Sequence, residues 1–509
     1  MSTFHKKLLT RRKQYKSTRT KEKTIERRYK QQIQISKIKR QKLLNKKRNL
    51  LPTTELNQYL PKEITNYIND LPQLAKQLQS ENKNEKIEAS VLIRNLLSIP
   101  EDPPIDQVLQ CKILPILVDF LQDPKEPDLQ FNAAWSISNI ASGLPEHTKL
   151  VVEYNTIPIF IDLIGSQNDD IRHQSIWALG NIVGEDISNR NRLLEFNAIS
   201  ILCDVVNQTK NFEIVKISIW VLRHLCKGNP APSFVMVKPL MAVFKKTLMT
   251  SDREIIVEAT TALGHLAEGS KQNIQLIIDH KIVPVLVDFL KSEDNIIKFP
   301  SLRCLGNLIT GTEEQIVAVL ENGLIPYLVD FIQSKKIAIR KEACWILSNI
   351  CACSAAAAQE VIKEGALPHL IDILENDINQ IIKEVCYVIS NMIHSAKVAQ
   401  CRYIASQGII PIITRLLSNE DQEIVSTCME SLDIFFKVES ADSEYQNKEL
   451  TEYITQFEEE EGIEKIVKLM DSRIIQIRKQ ATFFYLIHLQ DNSDDEDDDD
   501  EDEIDDLLY

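Results

Sequence analysis

Glycine is scarce in this chain, 13 residues in 509, against roughly seven per cent in ordinary globular proteins. That scarcity disfavours turn-rich β architectures, whose tight hairpins lean on glycine at positive φ. No run of 18 apolar residues occurs, which excludes a membrane-spanning helix. The first 49 residues lack the apolar stretch of a secretory signal, so the chain is expected in the cytosol or nucleus, without membrane insertion. None of the ten cysteines forms a CxxC pair, and only Cys351 and Cys353 lie close together. They are read as reduced core thiols, and no metal site is expected. HExxH, GxSxG and glycine-rich phosphate loops are all missing, and the nine histidines are scattered. No catalytic constellation supports an enzyme, and no cofactor is expected.

What is present is a polarised charge distribution and a large apolar content. The overall charge of −14 conceals a basic start and an acidic end. Residues 1–50 carry 19 Lys/Arg against 2 Glu, whereas residues 491–509 carry 13 acids and no base. The acidic tail, 490–509, is expected to be disordered, because its carboxylates repel and almost nothing apolar offsets them. With 44% apolar and 26% charged residues, the stretch between the two ends can build a substantial core with a wetted surface.

That middle is periodic. One position of a helical pattern recurs as Trp135, Trp177, Trp220, Thr261, Arg303, Trp345 and Tyr387, in steps of 41 to 43 residues. In phase with it, a proline stands inside an apolar run at Pro115, Pro158, Pro284, Pro326, Pro368 and Pro411, where it suits the first turn of a helix. Apolar residues between these landmarks follow the 3.6-residue period without strand-like alternation. An all-helical unit of about 42 residues has the period of the armadillo repeat. The expected fold is therefore an all-α armadillo-repeat solenoid of about ten repeats over 85–489, wound as a superhelix with a long groove, entered through a linker at 51–84.

A tryptophan at helical spacing is usually a core residue. On a helical wheel with Ile171 at zero, Ile171, Ser175, Ala178, Leu179, Ile182 and Val183 share one arc, while Trp177 falls near about 240° beside Gln174, Asn181 and Glu185. Trp135 with Asn139, and Trp345 with Asn349 and Glu342, behave alike. Each indole is thus expected to stand on the polar stripe opposite the core. Trp and Asn at i and i+4 are helix-surface neighbours, and stacked repeats would set such pairs roughly 10 Å apart. Parallel indoles would then leave slots for the stem of a Lys or Arg, and the amides would grip the backbone of an extended peptide. Glu258, Glu342 and Glu384, three residues before the aromatic position, together with Glu185 and Glu313, are placed to meet the cationic heads.

These residues resemble the importin-α nuclear import adaptors. The likeness rests on WSISNIASG at 135–143, WALGNIVGE at 177–185, LRCLGNLITGT at 302–312 and CWILSNI at 344–350. It implies binding of Lys/Arg-rich nuclear localisation signals. A major site would use Trp135, Asn139, Gly143, Thr148, Gln174, Trp177, Asn181 and Trp220, with Glu185 where the family usually has Asp and Glu258 at the edge. A minor site would use Arg303, Asn307, Glu313, Glu342, Trp345, Asn349, Glu384, Tyr387 and Asn391. His224 stands where a third amide of the major site is expected, Lys227 where Arg is usual, and Thr261 and His265 replace the usual Trp and Tyr.

A basic arm alone fits nucleic acid or an anionic membrane as well as a protein. The order of residues 11–49 resembles the importin-β-binding segment of the same family, an extended stretch before a basic helix, with Arg27, Arg28, Lys37, Lys39 and Arg40 meeting an acidic receptor rather than nucleic acid. Lys46, Lys47 and Arg48 look like a localisation signal in their own right and would occupy the major site until importin-β withdraws them. The resemblance further implies an export receptor with Ran engaging around Ile463 to Leu489, and shuttling between cytoplasm and nucleus. The competing reading is an armadillo scaffold of another kind, or a chaperone for basic proteins.

Overall fold

The computed structural model describes residues 65–99, 102–446 and 452–489, and among them every regular element is a helix. The expectation of an all-α armadillo-repeat solenoid holds. Ten longer helices follow one another at the repeat period, with a wider step before the last, and the second to the eighth carry the aromatic and amide positions: α1 (Lys83–Leu97), α2 (Pro127–Ile140), α3 (Asp169–Glu185), α4 (Phe212–Cys226), α5 (Arg253–Gly269), α6 (Asn295–Leu308), α7 (Ile337–Cys353), α8 (Asn379–Ser395), α9 (Gln422–Gln446) and α10 (Ile475–His488). Shorter helices fill the intervals, such as Glu313–Leu320 and Leu324–Phe331 between α6 and α7. The chain forms two compact units, one through Leu225 and one from Cys226 onward.

Local chemistry sets where the helices begin. The side chains of Asn82, Asn168, Asp252 and Asp294 each accept a hydrogen bond from a first-turn backbone N–H of the helix they precede, satisfying donors that have no intrahelical partner. The periodic prolines lie second or third in their helices: Pro115 in Ile113–Leu121, Pro284 in Val283–Phe289 and Pro326 in Leu324–Phe331. A missing N–H costs nothing there.

From Ile105 onward, in every repeat but that of Phe234–Val237 and Leu240–Leu248, where Lys238 and Pro239 are right-handed, the joint between the two short helices is a single left-handed residue. It is Lys112, Asn155, Asn197, Lys281 and Glu461, at φ between 53° and 57°, and Gly323, Gly365 and Gly408, at 75° to 79°. Where glycine stands, the conformation is free of Cβ conflict; where lysine or glutamate stands, it carries the cost of about 1 kcal/mol expected for a side chain there. The repeat tolerates this because packing on both sides of the joint over-determines the backbone.

Within the first unit, Ile93, Leu97, Ile137, Ile140, Phe160, Leu179, Ile182 and Leu202 are fully buried. α1 packs on α2 and α2 on α3, so the apolar face of each longer helix is completed by its neighbour. In the second unit the same stacking joins α5 to α6, α7 to α8 and α8 to α9. Each fully buried Ile or Leu contributes about 1.5–3 kcal/mol relative to exposure. Eight of the ten cysteines are buried, and burial pushes the thiols up, to about 12 for Cys203 and about 11 for Cys401.

The last repeat closes on a carboxylate. Asp433 of α9 stands 42 residues after Asn391. It accepts from His488 Nε2 at 2.9 Å and pairs with Lys437 Nζ at 2.7 Å. The ring of His488 lies between Phe436 and Phe484 at centroid distances of 5.4 and 5.0 Å, which docks α10 on α9. Burial alone would raise the pKa of Asp433, but the His488 hydrogen bond and the Lys437 charge outweigh it and hold the pKa at about 2. A depressed carboxylate contributes stability above its unfolded pKa and loses it as pH falls through the folded one. Asp433 should therefore contribute about 2 kcal/mol near neutrality, lost as pH falls from about 3.8 to about 2. Acid unfolding of wild type and Asp433→Asn, followed by circular dichroism, should show this loss in wild type alone.

Candidate functional site

In the first unit the aromatic and amide positions come together on α2, α3 and α4, but not as outward-standing shelves. Trp177 and Trp220 retain 7% and 6% exposure, and Trp135 is half-buried. Trp177 and Trp220 stack directly, centroids 5.4 Å apart and planes 26° from parallel, and His173 stacks on Trp177 at 6.3 Å. A methylene stem between two rings needs about 7 Å, twice the van der Waals contact distance. The expected open slot is thus closed between these two indoles.

The cause is the lateral neighbour. An isolated helix has one covered face, whereas α3 is also flanked by the helices of the preceding and following repeats. Trp220 reaches back across α3 and lies on Gly180: a Cβ built there would come within 1.8 Å of Cζ3 of the indole. Trp345 lies likewise on Gly306, where an added Cβ would be 2.9 Å away. A small residue directly before the ladder amide, in Gly180-Asn181, Gly306-Asn307, Ser138-Asn139 and Ser348-Asn349, is the signal that could have disclosed this packing.

The amides are largely committed to neighbouring repeats rather than held ready for a ligand. Asn139 Nδ2 donates to Ser98 Oγ at 3.0 Å, and Asn181 Nδ2 to the carbonyl of Ser138 at 2.9 Å. Both side chains are buried, and the Oδ1 of Asn181 makes no hydrogen bond. Each amide thus ties its helix to the preceding one and leaves acceptor capacity on the oxygen.

The other expected residues of this unit are placed as follows. Thr148 Oγ1 donates to the carbonyl of Ala141 at 2.8 Å, closing the turn after α2. Gly143 leaves room for His147, whose Nδ1 would be 2.4 Å from an added Cβ and which accepts from the N–H of Leu144. Gln174 is buried on α3, and Glu185 ends that helix. His224 packs edge-on against Trp220 at 5.0 Å, with Arg223 Nη2 at 2.9 Å from its Nε2. Arginine only donates, so that ring nitrogen accepts and the proton resides on Nδ1. The histidine fills the space above Gly184, 3.5 Å from an added Cβ. Glu258 lies half-buried on α5, in the second unit.

The second unit carries the same pattern on α6, α7 and α8. Asn307 Nδ2 donates to the carbonyl of Gly264 at 3.0 Å and to Glu268 Oε1 at 3.1 Å, which draws Glu268, unforeseen in the sequence, into the row. Asn391 Nδ2 reaches the carbonyl of Ser348 at 3.0 Å, while Asn349 donates to Trp345 in its own helix at 3.1 Å. Trp345 and Glu342 are buried, Arg303 is half-buried, and Glu313 is exposed at the start of its helix. Glu384 already pairs with Lys341 at 3.6 Å. Burial, aided by Glu423 and Glu384, pushes the Tyr387 hydroxyl up. Arg27, Arg28, Lys37, Lys39, Arg40, Lys46, Lys47, Arg48 and the acidic tail lie outside the described residues.

Comparison with known proteins supports the repeat fold. The armadillo/beta-catenin-like repeat model matches residues 101–142, 145–184, 270–310, 312–352 and 354–394, and the importin beta binding domain model matches 11–91. Importin subunit alpha-2 of Arabidopsis thaliana is 33% identical over 290 residues, 56% of this chain and 54% of that one. Importin subunit alpha-B of Dictyostelium discoideum is 38% identical over 295 residues, 58% and 57% of the two chains. The chain thus spans about half the length of the curated relatives it matches. Among solved structures, an engineered protein superposes with a TM-score of 0.72 at 23% identity, covering 81% of this chain and 97% of its own, a likeness of fold.

The indole stack itself can be tested. Gly180→Ala should push Trp220 off α3, cost about 1–3 kcal/mol and alter the near-ultraviolet circular dichroism of the coupled indoles. Gly184→Ala, whose added carbon meets only ordinary contacts, should leave both the melting temperature and that spectrum nearly unchanged.

Proposed function

The chain belongs to the importin-α family, and on that footing we propose that it is a nuclear import adaptor: it binds Lys/Arg-rich localisation signals along the ladder and is carried by importin-β through its N-terminal arm. The observation that carries the reading is the in-register row of Trp135, Trp177 and Trp220 with Asn139 and Asn181 on α2, α3 and α4, and of Trp345 and Tyr387 with Asn307, Asn349 and Asn391 on α6, α7 and α8. An extended peptide presents cations and backbone amides at regular intervals, and the row answers both with aromatic surface and amide oxygens. The packed state of Trp177 and Trp220 adds one requirement. A peptide entering there must part the two rings, so part of its binding energy goes into opening the stack.

The major site comprises Trp135, Asn139, Gly143, Thr148, Gln174, Trp177, Asn181, Glu185 and Trp220 with Glu258, and the minor site the corresponding residues from Arg303 to Asn391. Residues 1–50, over most of which the match to the importin beta binding domain extends, supply the receptor-binding arm, through Arg27, Arg28, Lys37, Lys39 and Arg40. Lys46, Lys47 and Arg48 compete with cargo for the major site. Residues 463–489 engage an export receptor with Ran, and the protein shuttles between cytoplasm and nucleus.

A fluorescent Lys-rich localisation peptide titrated against Trp177→Ala with Asn181→Ala should bind more weakly than to wild type by about 2 kcal/mol or more, the size of a hot spot. Equal binding by both proteins would send the assignment to a non-transport armadillo scaffold. Removing residues 1–50 should tighten the same peptide in the absence of importin-β, because the tethered competitor is gone. A nucleic-acid-binding arm predicts no such gain and a weakened binding of DNA or RNA instead.

A further inference from the structure

The ladder of the first unit starts with a cation in place of an indole. Arg94 of α1 stands 41 residues before Trp135, and Ser98 stands 41 residues before Asn139, so the two occupy the aromatic and amide registers of the first repeat. Ser98 fulfils its part by receiving Asn139 Nδ2 at 3.0 Å. Arg94 is buried to 6% exposure, and its guanidinium carbon lies 5.4 Å from the ring centroid of Trp135 and 5.7 Å from that of Phe131. Nη1 donates to Asn132 Oδ1 at 3.0 Å and Nη2 to Asn95 Oδ1 at 3.4 Å. Asn132 is fixed in turn by donating to Ser90 Oγ at 2.9 Å. This is a planar cation held on an aromatic face by anchored acceptors, the arrangement a peptide arginine or lysine would seek on the same ring.

We propose that Arg94 is a built-in occupant of the first ladder position and fixes the end of the peptide register. It takes one face of Trp135, so a basic side chain of the ligand can use only the other face, toward α3, and a further cation beyond that point finds no aromatic surface. The inference rests on the peptide-binding reading above and adds a specificity-determining residue to it. Arg94 acts on the ligand twice: it fills the aromatic face, and its charge repels a cation seeking to extend past it.

The test uses the chain lacking residues 1–50 as well as the full chain, with three Gly/Ser-flanked peptides: four lysines, and the same four extended by one lysine at either end. Wild type should bind all three within about twofold. Arg94→Gln should bind one of the five-lysine peptides at least about fivefold more tightly than the four-lysine peptide, and Arg94→Lys, which keeps the charge, should retain the wild-type pattern. Asn132→Ala, which frees the guanidinium from its anchor without deleting it, should shift the ratio in the same direction by a smaller factor and serves where Arg94→Gln is poorly folded by circular dichroism. An equal gain for all three peptides in Arg94→Gln would be a general charge effect and would overturn the proposal, as would an unchanged ratio in both variants. Absence of binding by any peptide to wild type would overturn the adaptor reading itself, and this inference with it.

Discussion

Within each unit, the structure depends on the contact between one longer helix and the next, renewed at the repeat period. No repeat can bury its apolar face alone, and a polar contact recurs beside the apolar one, interrupted at His224 and Asn349. Asn139, Asn181, Asn307 and Asn391 each pass a hydrogen bond to the repeat before them. In an interior where an unpaired amide is costly, these bonds fix the register of each helix against its neighbour. Gln315 and Gln400 do the same on the shorter helices, reaching Gln275 and Gln359 one repeat earlier. The residues that define the candidate site are therefore also framework residues, and their chemistry toward a ligand is whatever the framework leaves over.

Much of this was legible in the sequence. The spacing from Trp135 to Tyr387 and the phase of Pro115 to Pro411 are enough to give the helical repeat, because each has a local physical reason that survives in any packing. The exposure of the indoles was not legible from a wheel. A wheel treats Trp177 as standing on a lone cylinder with a wet side, whereas α3 has helices beside it as well as beneath it, and Trp220 covers the supposedly open flank. The glycine before Asn181 records that close approach. The left-handed joints were hidden for a different reason: glycine marks only Gly323, Gly365 and Gly408, while Lys112 and Lys281 adopt the same backbone under tertiary compulsion.

Substitutions within the pattern are accommodated rather than disruptive. His224 replaces an expected amide, yet its ring packs on Trp220 and pairs with Arg223, so the space is filled and the nitrogen satisfied. His147 occupies the place in its helix that Gln315 and Gln400 hold in theirs, accepting the backbone N–H three residues earlier and donating to Asp106 at 2.8 Å. The repeat thus constrains hydrogen-bonding capacity and volume at a position more tightly than residue type.

The closure of the last repeat by Asp433, His488 and Lys437 has a consequence for how such a protein can change length. Because His488 lies on α10 and Asp433 on α9, a chain that lost α10 would strip the carboxylate of its imidazole partner. Shortening from this end carries a cost that the amide-tied contacts between earlier repeats do not, since those recur from one repeat to the next. The final pair of helices is in this sense a bookend, held together by a lock of its own.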